Sequence, residues 1–255
     1  DLQTVVKKAI DYGFNYFDTS PYYNNSETVL GDILKDIPRE KFILQTKVGR
    51  YPEINNIKNF DYSAIGIKNS VENSLQKLNT SYLDVLLLHD VEFIDIDTIL
   101  SESIPTLINL KLKGKTKKIG FSCYPLETVY NLLQYPIIYN NVDVILVYGH
   151  NNLIDNTLSK LKNIIDKYNI TLIDASPLAL GLLTDNSPPS WHPAPKELKS
   201  ICKSISSELK YNNKELSTIA LKYSIKNSIG NRLLVGISNI NELEKLKHSY
   251  DNYRD

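Results

Sequence analysis

The chain has 255 residues, of which 42% are hydrophobic, enough for the core of one large α/β domain or of two small ones. Lysine and arginine together number 29, and so do aspartate and glutamate, so no net charge favours nucleic acid or an anionic membrane as a partner. The composition therefore favours a globular protein that binds small molecules.

The two cysteines, Cys123 and Cys202, are far apart in the sequence and form no CxxC pattern. This spacing suits a reducing compartment and offers neither a disulfide framework nor a thiolate zinc site. No apolar run reaches the length of about 18 residues that a membrane-spanning helix needs. We therefore expect a cytoplasmic protein, although the chain opens without methionine and a targeting signal before Asp1 is left open.

The first half of the chain alternates between helix and strand patterns. Residues 2–12 place apolar side chains on one helical face, and Gly13 is a stop signal. A second helix is predicted from Ser26, a suitable N-cap. Residues 82–90 are nearly all apolar, as in a strand buried on both faces of a parallel sheet. The other elements predicted here are a strand ending at Asp18, a strand over 42–49, a helix over 63–78, and a helix over 97–113 that tolerates Pro105 with a kink.

The second half continues the same alternation. Strands are predicted at 117–124, 142–150, 171–181 and 232–238, and helices at 126–134, 156–168, 196–210, 214–227 and from Ile240. Residues 184–195, TDNSPPSWHPAP, are the one Pro-rich interruption, and we expect a long loop there.

Seven strands separated by helices predict a parallel α/β fold. An open doubly wound sheet and a closed (β/α)8 TIM barrel both suit that pattern. The opening helix implies a strand before Leu2, and with that strand restored the count becomes eight. Because no linker or change of composition divides the chain, we expect residues 1–255 to form a single, N-terminally incomplete barrel domain.

Three chemically active side chains stand at the ends of predicted strands: Asp18, Lys47 and His89. Neighbouring parallel strands lie about 4.8 Å apart, and active sites of β/α barrels occupy the C-terminal edge of the strands. Tyr23 follows in the loop after the first strand. We therefore expect these four side chains to converge.

The chemistry of these four residues can be predicted by comparing the energy of a pKa shift with that of a nearby charge. Lowering the pKa of a tyrosine by about 3 units requires roughly 4 kcal/mol, and an ammonium about 4 Å away supplies a similar energy at an effective dielectric constant of about 20. Lys47 is therefore predicted to lower the pKa of Tyr23, with Asp18 keeping Lys47 charged and oriented. His89 is expected to hydrogen-bond the substrate oxygen while Tyr23 moves a proton on or off a carbonyl.

Two other interpretations of these residues stay open. Asp18 and Lys47 could be a structural ion pair, and His89 a satisfied histidine at a strand end. A metal site could instead use His89, Asp90 and Glu92, although neighbours in an extended strand point to opposite faces, which disfavours it. We expect no metal.

The motifs around these residues resemble those of the aldo-keto reductases. The matching runs are DTSPYYNNSETVLG, QTKVG and LLLHDVE, and the resemblance extends from about residue 5 to residue 246. It is strongest to the branch that contains L-galactose dehydrogenase and D-arabinose dehydrogenase, through HDVEF, SESIPTL, ASPLALGLLT and PPSWHPAPKELKS. The resemblance implies a (β/α)8 barrel in which Tyr23 transfers the proton and Asp18, Lys47 and His89 complete a tetrad.

The resemblance also implies a nicotinamide cofactor, and the chain contains no GxGxxG fingerprint to bind one. Barrels of this kind commonly bind phosphate with the loops after the seventh and eighth strands, which here are residues 176–184 and 236–246. The resemblance implies that Ser176, Leu178 and Gly181 line the pyrophosphate, and that Ser238 and Asn239 lie near the adenosine ribose.

Glu242 stands about where many NADP-dependent relatives have an arginine, so the resemblance favours NAD, with NADP possible. An acid would repel a 2′-phosphate and could accept a hydrogen bond from a free 2′-hydroxyl. The alternative is structural, since Asn239 and Glu242 also have the spacing of a capping box.

Ser122 matches the family serine that holds the nicotinamide carboxamide. Common asparagine, glutamine and aromatic residues of that grip are replaced by Cys123, Leu146 and Ala175, and Tyr148 is a candidate to compensate. His150 is another candidate, and either side chain could equally line the site without a role in the chemistry.

Candidate substrate residues are Trp191 and His192, since an indole face packs well on a sugar; equally, the tryptophan could simply anchor its loop. Tyr22, Tyr51 and Phe93 are further candidates, from their positions after strand ends.

The resemblance implies an NAD(P)-dependent oxidoreductase that oxidises an aldose such as L-galactose or D-arabinose at C1 to its lactone. The alternatives are a general NADPH-dependent aldehyde or ketone reductase, and a nicotinamide-binding regulatory subunit with little turnover. We expect a small-molecule sugar or aldehyde substrate, no nucleic acid or membrane partner, and a monomer or weak homo-oligomer.

Overall fold

The computed structural model describes residues 1–55 and 57–253. Helices and strands follow one another as α1 (Leu2–Asp11), β1 (Tyr16–Asp18), α2 (Ser26–Leu34), β2 (Ile43–Val48), β3 (Arg50–Ile54), β4 (Ile57–Phe60), α3 (Ala64–Lys77), β5 (Leu83–Leu88), α4 (Ile96–Thr98), α5 (Ile104–Leu112), β6 (Thr116–Cys123), α6 (Leu126–Leu132), α7 (Pro136–Tyr139), β7 (Val144–Tyr148), α8 (Lys162–Tyr168), β8 (Thr171–Ala175), α9 (Lys196–Tyr211), α10 (Leu216–Asn227), β9 (Arg232–Leu234) and α11 (Ile240–Asp251). All seven predicted strands are present, and the predicted parallel α/β fold is confirmed.

The chain forms two compact units. The larger contains Val6–Leu146 and Asn163–Thr171, and the smaller contains Asp1–Val5, Val147–Lys162 and the chain from Leu172. In the described part of the chain, no helix is both long enough and apolar enough to cross a membrane.

The sheet of the larger unit has the strand order β1-β2-β5-β6, followed by the start of β7. The pairing is parallel, with Asp18 opposite Gln45 and Lys47 opposite Leu87. Strand β5 is apolar except for Asp84, and its Leu86, Leu87 and Leu88 are all fully buried. Because the register aligns the ends of β1, β2 and β5, the polar residues that end these strands share one edge of the sheet.

A hairpin directly after β2 is the main element that the sequence pattern did not indicate. Strands β3 and β4 pair antiparallel, with Arg50 opposite Phe60. Pro52 within β3 obscures the strand pattern, since proline is confined to edges and irregular positions of sheets. Left-handed Asn55, with φ of 52°, follows β3 and shows that an asparagine takes a turn conformation here.

The predicted helix over 97–113 is divided into segments. A π-helical stretch, Ile99–Ser103, separates α4 from α5, and Pro105 lies in the first turn of α5. Proline has no N–H to donate and is tolerated at a helix start, so the structure accommodates it with a change of helix type.

The smaller unit contains the end of β7, most of β8, and β9, with β8 and β9 parallel. Here the predicted strands over 171–181 and 232–238 are too long, because the apolar pattern continues into loops after Ala175 and Leu234. Residues 184–195 form the predicted loop, without helix or strand. A local core of Leu182, Leu183, Cys202, Leu216 and Ala220 packs beside this loop.

Candidate active site

Lys47 is the centre of the polar cluster in the larger unit. Its Nζ atom donates to both oxygens of Asp18, at 2.7 and 2.6 Å, and to the carbonyl oxygen of Thr19 at 3.1 Å. The Tyr23 hydroxyl lies 3.4 Å away. Lys47 is only 2% exposed, and burial disfavours its charge; the Asp18 carboxylate and the Tyr23 hydroxyl outweigh burial, so the pKa of Lys47 is raised above its usual value.

Asp18 is held in place from the opposite side by Gln45. The Gln45 amide donates to Asp18 at 2.6 Å, and its carbonyl oxygen accepts from the Tyr16 hydroxyl at 2.6 Å. Gln45 precedes Lys47 by two residues in β2, so both side chains project from the same face of the strand. Sequence reasoning missed Gln45, although the two-residue period was the signal that could have found it.

The expected lowering of the Tyr23 pKa is wrong for this structure. Crowding by protein atoms around the hydroxyl raises the pKa, the charge of Lys47 lowers it, and the charge of Asp18 raises it again, for a net increase. The whole side chain still exposes 41% of its surface, so water screens part of the burial effect. The expectation considered Lys47 alone: it left out the burial of the hydroxyl, and it left out the pairing of Lys47 with Asp18 at 2.6 Å, whose negative charge offsets part of the lysine's effect on the pKa.

His89 completes the cluster as a neutral, buried imidazole. Its Nδ1 atom lies 2.9 Å from the Ser20 hydroxyl, and its carbonyl oxygen accepts from the Tyr62 hydroxyl. Burial, followed by the positive charges of Lys47 and Arg50, lowers the pKa of His89 to about 2. The ring packs edge-on against Tyr23, with centroids 5.7 Å apart. The structure therefore brings the four predicted catalytic residues together, while their catalytic roles stay a prediction.

A second ion pair beside the cluster was not foreseen. Arg50 donates to the buried carboxylate of Asp90 and, at 3.1 Å, to the hydroxyl of Tyr22. Its guanidinium carbon lies 4.0 Å from the centroid of the Tyr22 ring. Asp90 adopts a left-handed conformation, with φ of 54°, directly after His89. No pattern in the sequence joins Arg50 to Asp90, because the contact depends on the hairpin after β2.

The carboxylates of the alternative metal site have other partners. Asp90 is bonded to Arg50 and Ser122, and Glu92 accepts from the backbone N–H of Tyr124 at 3.0 Å. The Oε2 atom of Glu92, however, has no hydrogen-bond partner among the described residues, and the expected absence of a metal stays a prediction.

The substrate candidates in the larger unit occupy different surroundings. Tyr22 packs edge-on against both Tyr23 and His89, at centroid distances of 6.0 and 5.7 Å, as expected of a wall beside the tetrad. Phe93 is 45% exposed and stacks on Phe60 of the hairpin. Tyr51 lies within β3, partly buried, and burial is the first cause of its raised pKa. Substrate contact by Tyr22, Tyr51 and Phe93 stays a prediction.

Ser122, the predicted carboxamide-binding serine, is buried and already bonded within the protein. It accepts from the backbone N–H of Asp90 at 3.0 Å and lies 3.3 Å from the Asp90 carboxylate. Its neighbour Cys123 is buried, and desolvation raises the pKa of the thiol well above its usual range. The hydroxyl therefore positions Asp90 in this structure, and its contact with a cofactor stays a prediction.

The loop after β8 in the smaller unit contains three of the predicted cofactor residues, Ser176, Leu178 and Gly181. Left-handed backbone occurs at Ser176, Ala179, Leu180 and Gly181, with φ of 63°, 46°, 54° and 93°. Non-glycine residues rarely adopt this conformation, and such strain concentrates at ligand-binding segments. Right-handed Leu178 followed by left-handed Ala179 makes one step of the kind that turns successive N–H groups toward one side, a geometry that binds anions.

Ser238, Asn239 and Glu242 form one hydrogen-bonded unit at the start of α11. The Asn239 side chain accepts from the backbone N–H of Glu242 at 3.1 Å. The Glu242 carboxylate accepts from the N–H and hydroxyl of Ser238, at 2.7 and 2.9 Å. The capping alternative is thus present in the structure, with the acid reaching the residue before the N-cap. It also puts a negative charge at this helix terminus.

Two further candidates stand near the end of β7. Tyr148 is partly buried, at the last position of the strand. His150 is buried and lies 3.0 Å from both the Asp155 carboxylate and the Thr157 hydroxyl. His150 therefore holds its own loop, and a cofactor contact for Tyr148 stays a prediction.

His192, and not Trp191, anchors the loop over residues 184–195. His192 is 8% exposed; its Nε2 lies 2.9 Å from the Ala179 carbonyl oxygen, and its Nδ1 accepts from the N–H of Ala194 at 3.1 Å. Trp191 is 68% exposed. The histidine anchors the loop, because both ring nitrogens are bonded to backbone, and the exposed indole lies nearly parallel to the imidazole with centroids 6.4 Å apart. Sugar contact by either side chain stays a prediction.

Comparisons with known proteins agree with this arrangement. The Aldo/keto reductase family matches residues 1–253. The chain is 42% identical to L-galactose dehydrogenase from Arabidopsis thaliana, over 96% of this chain and 76% of that protein. It is 32% identical to D-arabinose 1-dehydrogenase from Saccharomyces cerevisiae, over 99% of this chain and 76% of that protein.

The solved structure of an aldo-keto reductase from Bacillus halodurans, in its holo form, superimposes with a TM-score of 0.78. The two chains are 24% identical, and the match covers 97% of this chain and 80% of the other. The fold class is therefore the (β/α)8 barrel of these enzymes. Family, fold and relatives together identify the chain as a member of the aldo/keto reductase family and as an NAD(P)-dependent oxidoreductase.

Proposed function

We propose that this protein is a sugar dehydrogenase that oxidises an aldose at C1 to the corresponding lactone. The observation that carries the proposal is the tetrad geometry, in which Lys47 joins Asp18 at 2.6 Å to the Tyr23 hydroxyl at 3.4 Å. The choice of an aldose is supported by relatives that are named for the oxidation of sugars, L-galactose dehydrogenase and D-arabinose 1-dehydrogenase. L-galactose and D-arabinose are the first substrates to test.

Each tetrad residue has a role that its surroundings support. Tyr23 takes the proton from the C1 hydroxyl of the sugar, and Lys47 stabilises the tyrosinate with its buried charge. Asp18 keeps that charge in place. Neutral His89 donates a hydrogen bond to the reacting oxygen. The nicotinamide cofactor, when bound, supplies the hydride acceptor.

The raised pKa of Tyr23 gives this direction of reaction a definite pH dependence. The base form of a group with a pKa above its usual value of 10 is scarce at neutral pH. As long as the pH stays below that pKa, each increase of one pH unit raises the deprotonated fraction of Tyr23 about tenfold. Oxidation should therefore accelerate toward alkaline pH, and it should do so only when the tyrosine hydroxyl is present.

The cofactor residues are proposed to be Ser122 and Tyr148 for the nicotinamide, the loop with Ser176, Leu178 and Gly181 for the pyrophosphate, and Ser238, Asn239 and Glu242 for the ribose. The position of Glu242 favours NAD over NADP, because two hydrogen bonds from Ser238 hold its carboxylate in place. A fixed negative charge repels a 2′-phosphate and accepts a hydrogen bond from a 2′-hydroxyl.

The test is a panel of aldoses with NAD and NADP, run beside a panel of simple aldehydes with NADH and NADPH. We expect aldose oxidation with NAD to be the fastest reaction and its kcat/KM to rise with pH. Tyr23→Phe should lower kcat by at least about a hundredfold, as expected for loss of a general base, and leave cofactor binding intact. Tyr211→Phe, at a residue that is 90% exposed, is the matched control and should change nothing.

Other outcomes of the panel decide between the alternatives. Faster aldehyde reduction with NADPH would replace the sugar dehydrogenase by a general reductase. Dinucleotide binding without turnover on either panel would favour a regulatory subunit. Substantial turnover by Tyr23→Phe would contradict the assignment of the base.

A further inference from the structure

Ser20 has no part in the predicted tetrad, yet its side chain contacts one of the tetrad residues. It is fully buried, two residues after Asp18. Its hydroxyl oxygen lies 2.9 Å from Nδ1 of His89 and accepts from the backbone N–H of Tyr22 at 3.1 Å. Within residues 1–55 and 57–253, these are the two hydrogen-bond contacts of the Ser20 hydroxyl.

The direction of the contact between Ser20 and His89 follows from the first bond. A hydroxyl has one proton to donate, and a buried proton without an acceptor costs about 1–3 kcal/mol. The Tyr22 N–H can only donate, so it cannot receive this proton. The Ser20 hydroxyl therefore donates its proton to Nδ1 of His89. Nδ1 can accept this hydrogen bond only if it carries no proton itself.

The protonation state of His89 decides which of its ring nitrogens carries a proton. The pKa of about 2 leaves the imidazole neutral, with a single ring proton. If that proton is absent from Nδ1, it is on Nε2. The Asp90 carboxylate is 3.8 Å from Nε2, beyond hydrogen-bond distance, and is already bonded to Arg50. The N–H on Nε2 is thus left available for another acceptor.

We propose that Ser20 is a positioning residue which fixes His89 as the Nε2–H tautomer, so that the imidazole donates its one N–H to the reacting oxygen of the substrate. The use of that N–H rests on the proposed function; the tautomer itself does not. The orientation of the Ser20 hydroxyl is set in turn by the loop, through the N–H of Tyr22. One short segment thereby carries the proton-transferring Tyr23 and also sets the proton position of His89.

The direct test is the ring-nitrogen spectrum of 15N-histidine-labelled protein at neutral pH. The chain has four histidines, and His89 is assigned by the signals that vanish in His89→Asn. The wild type should show one protonated nitrogen at Nε2 and one unprotonated nitrogen at Nδ1 for His89. In Ser20→Ala the signals should move to intermediate, tautomer-averaged values, and Ser20→Thr, which keeps a hydroxyl, should restore the wild-type pattern.

Kinetics supply the second arm. Ser20→Ala should lower kcat by about tenfold, the equivalent of one hydrogen bond, with a smaller change in the Kd of the cofactor. Ser224→Ala is the matched control, because it removes a buried serine hydroxyl that donates to the Asn151 carbonyl oxygen at 2.8 Å. It should lower the thermal midpoint without lowering kcat in the same way, and midpoints of all variants are measured beside the rates.

The outcomes are distinguishable. An unchanged Nε2–H pattern in Ser20→Ala, or an Nδ1–H pattern in the wild type, overturns the proposal whatever the rates are. Averaged signals with wild-type kcat overturn the positioning role in the reaction. If the wild type turns over no sugar or carbonyl, the proposed function fails, and the spectra alone still decide the tautomer.

Discussion

At the scale of single residues, the site depends on a charge that burial alone would remove. Lys47 is 2% exposed, and an isolated ammonium in such a place loses its proton. Asp18 prevents this with two bonds of 2.7 and 2.6 Å, and Gln45 orients Asp18 in turn. Burial raises the pKa of Tyr23, and because the tyrosine faces a fixed ion pair instead of a lone cation, the charge of Lys47 does not reverse that rise.

Replacing Lys47 by methionine tests this dependence. Lys47→Met leaves the Asp18 carboxylate partly buried without its cation, so we expect the free energy of unfolding to fall by about 3–5 kcal/mol. We also expect kcat to fall at least about a hundredfold, because the tyrosinate loses its stabilising charge. Denaturant unfolding and steady-state kinetics measure the two effects.

The double variant Asp18→Asn with Lys47→Met separates stability from chemistry. Removing both charges should restore most of the stability, because replacement of a buried pair by neutral groups is often tolerated. Activity should stay low. Recovery of kcat together with stability would show that the loss in Lys47→Met came from misfolding and not from the missing charge.

What the sequence predicted at this scale was the residue types and not all of their partners. Acid, lysine and histidine at successive strand ends were sufficient to place Asp18, Lys47 and His89 together, because parallel strands end at one edge. The bonds of Ser20 to His89 and of Arg50 to Asp90 join segments 69 and 40 residues apart. Such pairs depend on side-chain rotamers and on loops, which carry no periodic signal.

At the scale of elements, hydrophobic periodicity located the seven strands of the main sheet but not the ends of those strands. The apolar runs after Ala175 and Leu234 continue into loops, so the predicted strands were too long. The hairpin of β3 and β4 was missed because it is short, polar and interrupted by Pro52. Periodicity reports burial, and where burial and hydrogen bonding end at different residues it gives the wrong boundary.

At Gly120 in β6 there is no room for a side chain. A Cβ there would overlap the carbonyl group of Val144 in β7 and touch the side chain of Leu87 in β5. Because backbone cannot move aside as a flexible side chain can, Gly120→Ala should lower the free energy of unfolding by about 1–3 kcal/mol.

The matched control for Gly120→Ala is Gly236→Ala, since nothing lies within 4 Å of a Cβ built at Gly236. Its effect on unfolding should stay within about 0.5 kcal/mol. Denaturant titration of both variants makes the comparison. Equal losses for the two alanines would mean that the close approach of β6 and β7 does not constrain Gly120.

At the scale of the whole molecule, composition and alternation of elements predicted the class of fold, and the family match agrees with it. They gave no sign of two compact units, one boundary of which falls between Leu146 and Val147, within β7. The smaller unit draws on three separate segments of the chain, so no linker marks its limits in the sequence. A single barrel domain stays a prediction, as do the oligomeric state and the compartment.

The stability of the molecule should also depend on pH through Asp174, a fully buried acid in β8. Burial raises its pKa to about 6, although Asn151 and Ser228 donate to one of its oxygens. Its other oxygen, Oδ1, has no hydrogen-bond partner among the described residues. The folded state therefore prefers the protonated acid, and this contribution to stability is full below the unfolded pKa of about 3.9 and is lost as pH rises through about 6.

Asp174→Asn should remove this dependence. The amide keeps an oxygen for Asn151 and Ser228 and stays neutral at every pH, so the variant should match the wild type near pH 4 and exceed it near pH 8 by about 3 kcal/mol, the energy of the two-unit difference in pKa. Unfolding of both proteins at the two pH values gives the comparison, and contributions of other acids cancel between them. Asp32→Asn, which removes an exposed carboxylate, is the control. A stability difference that is the same at pH 4 and pH 8 would mean that Asp174 is not the group responsible.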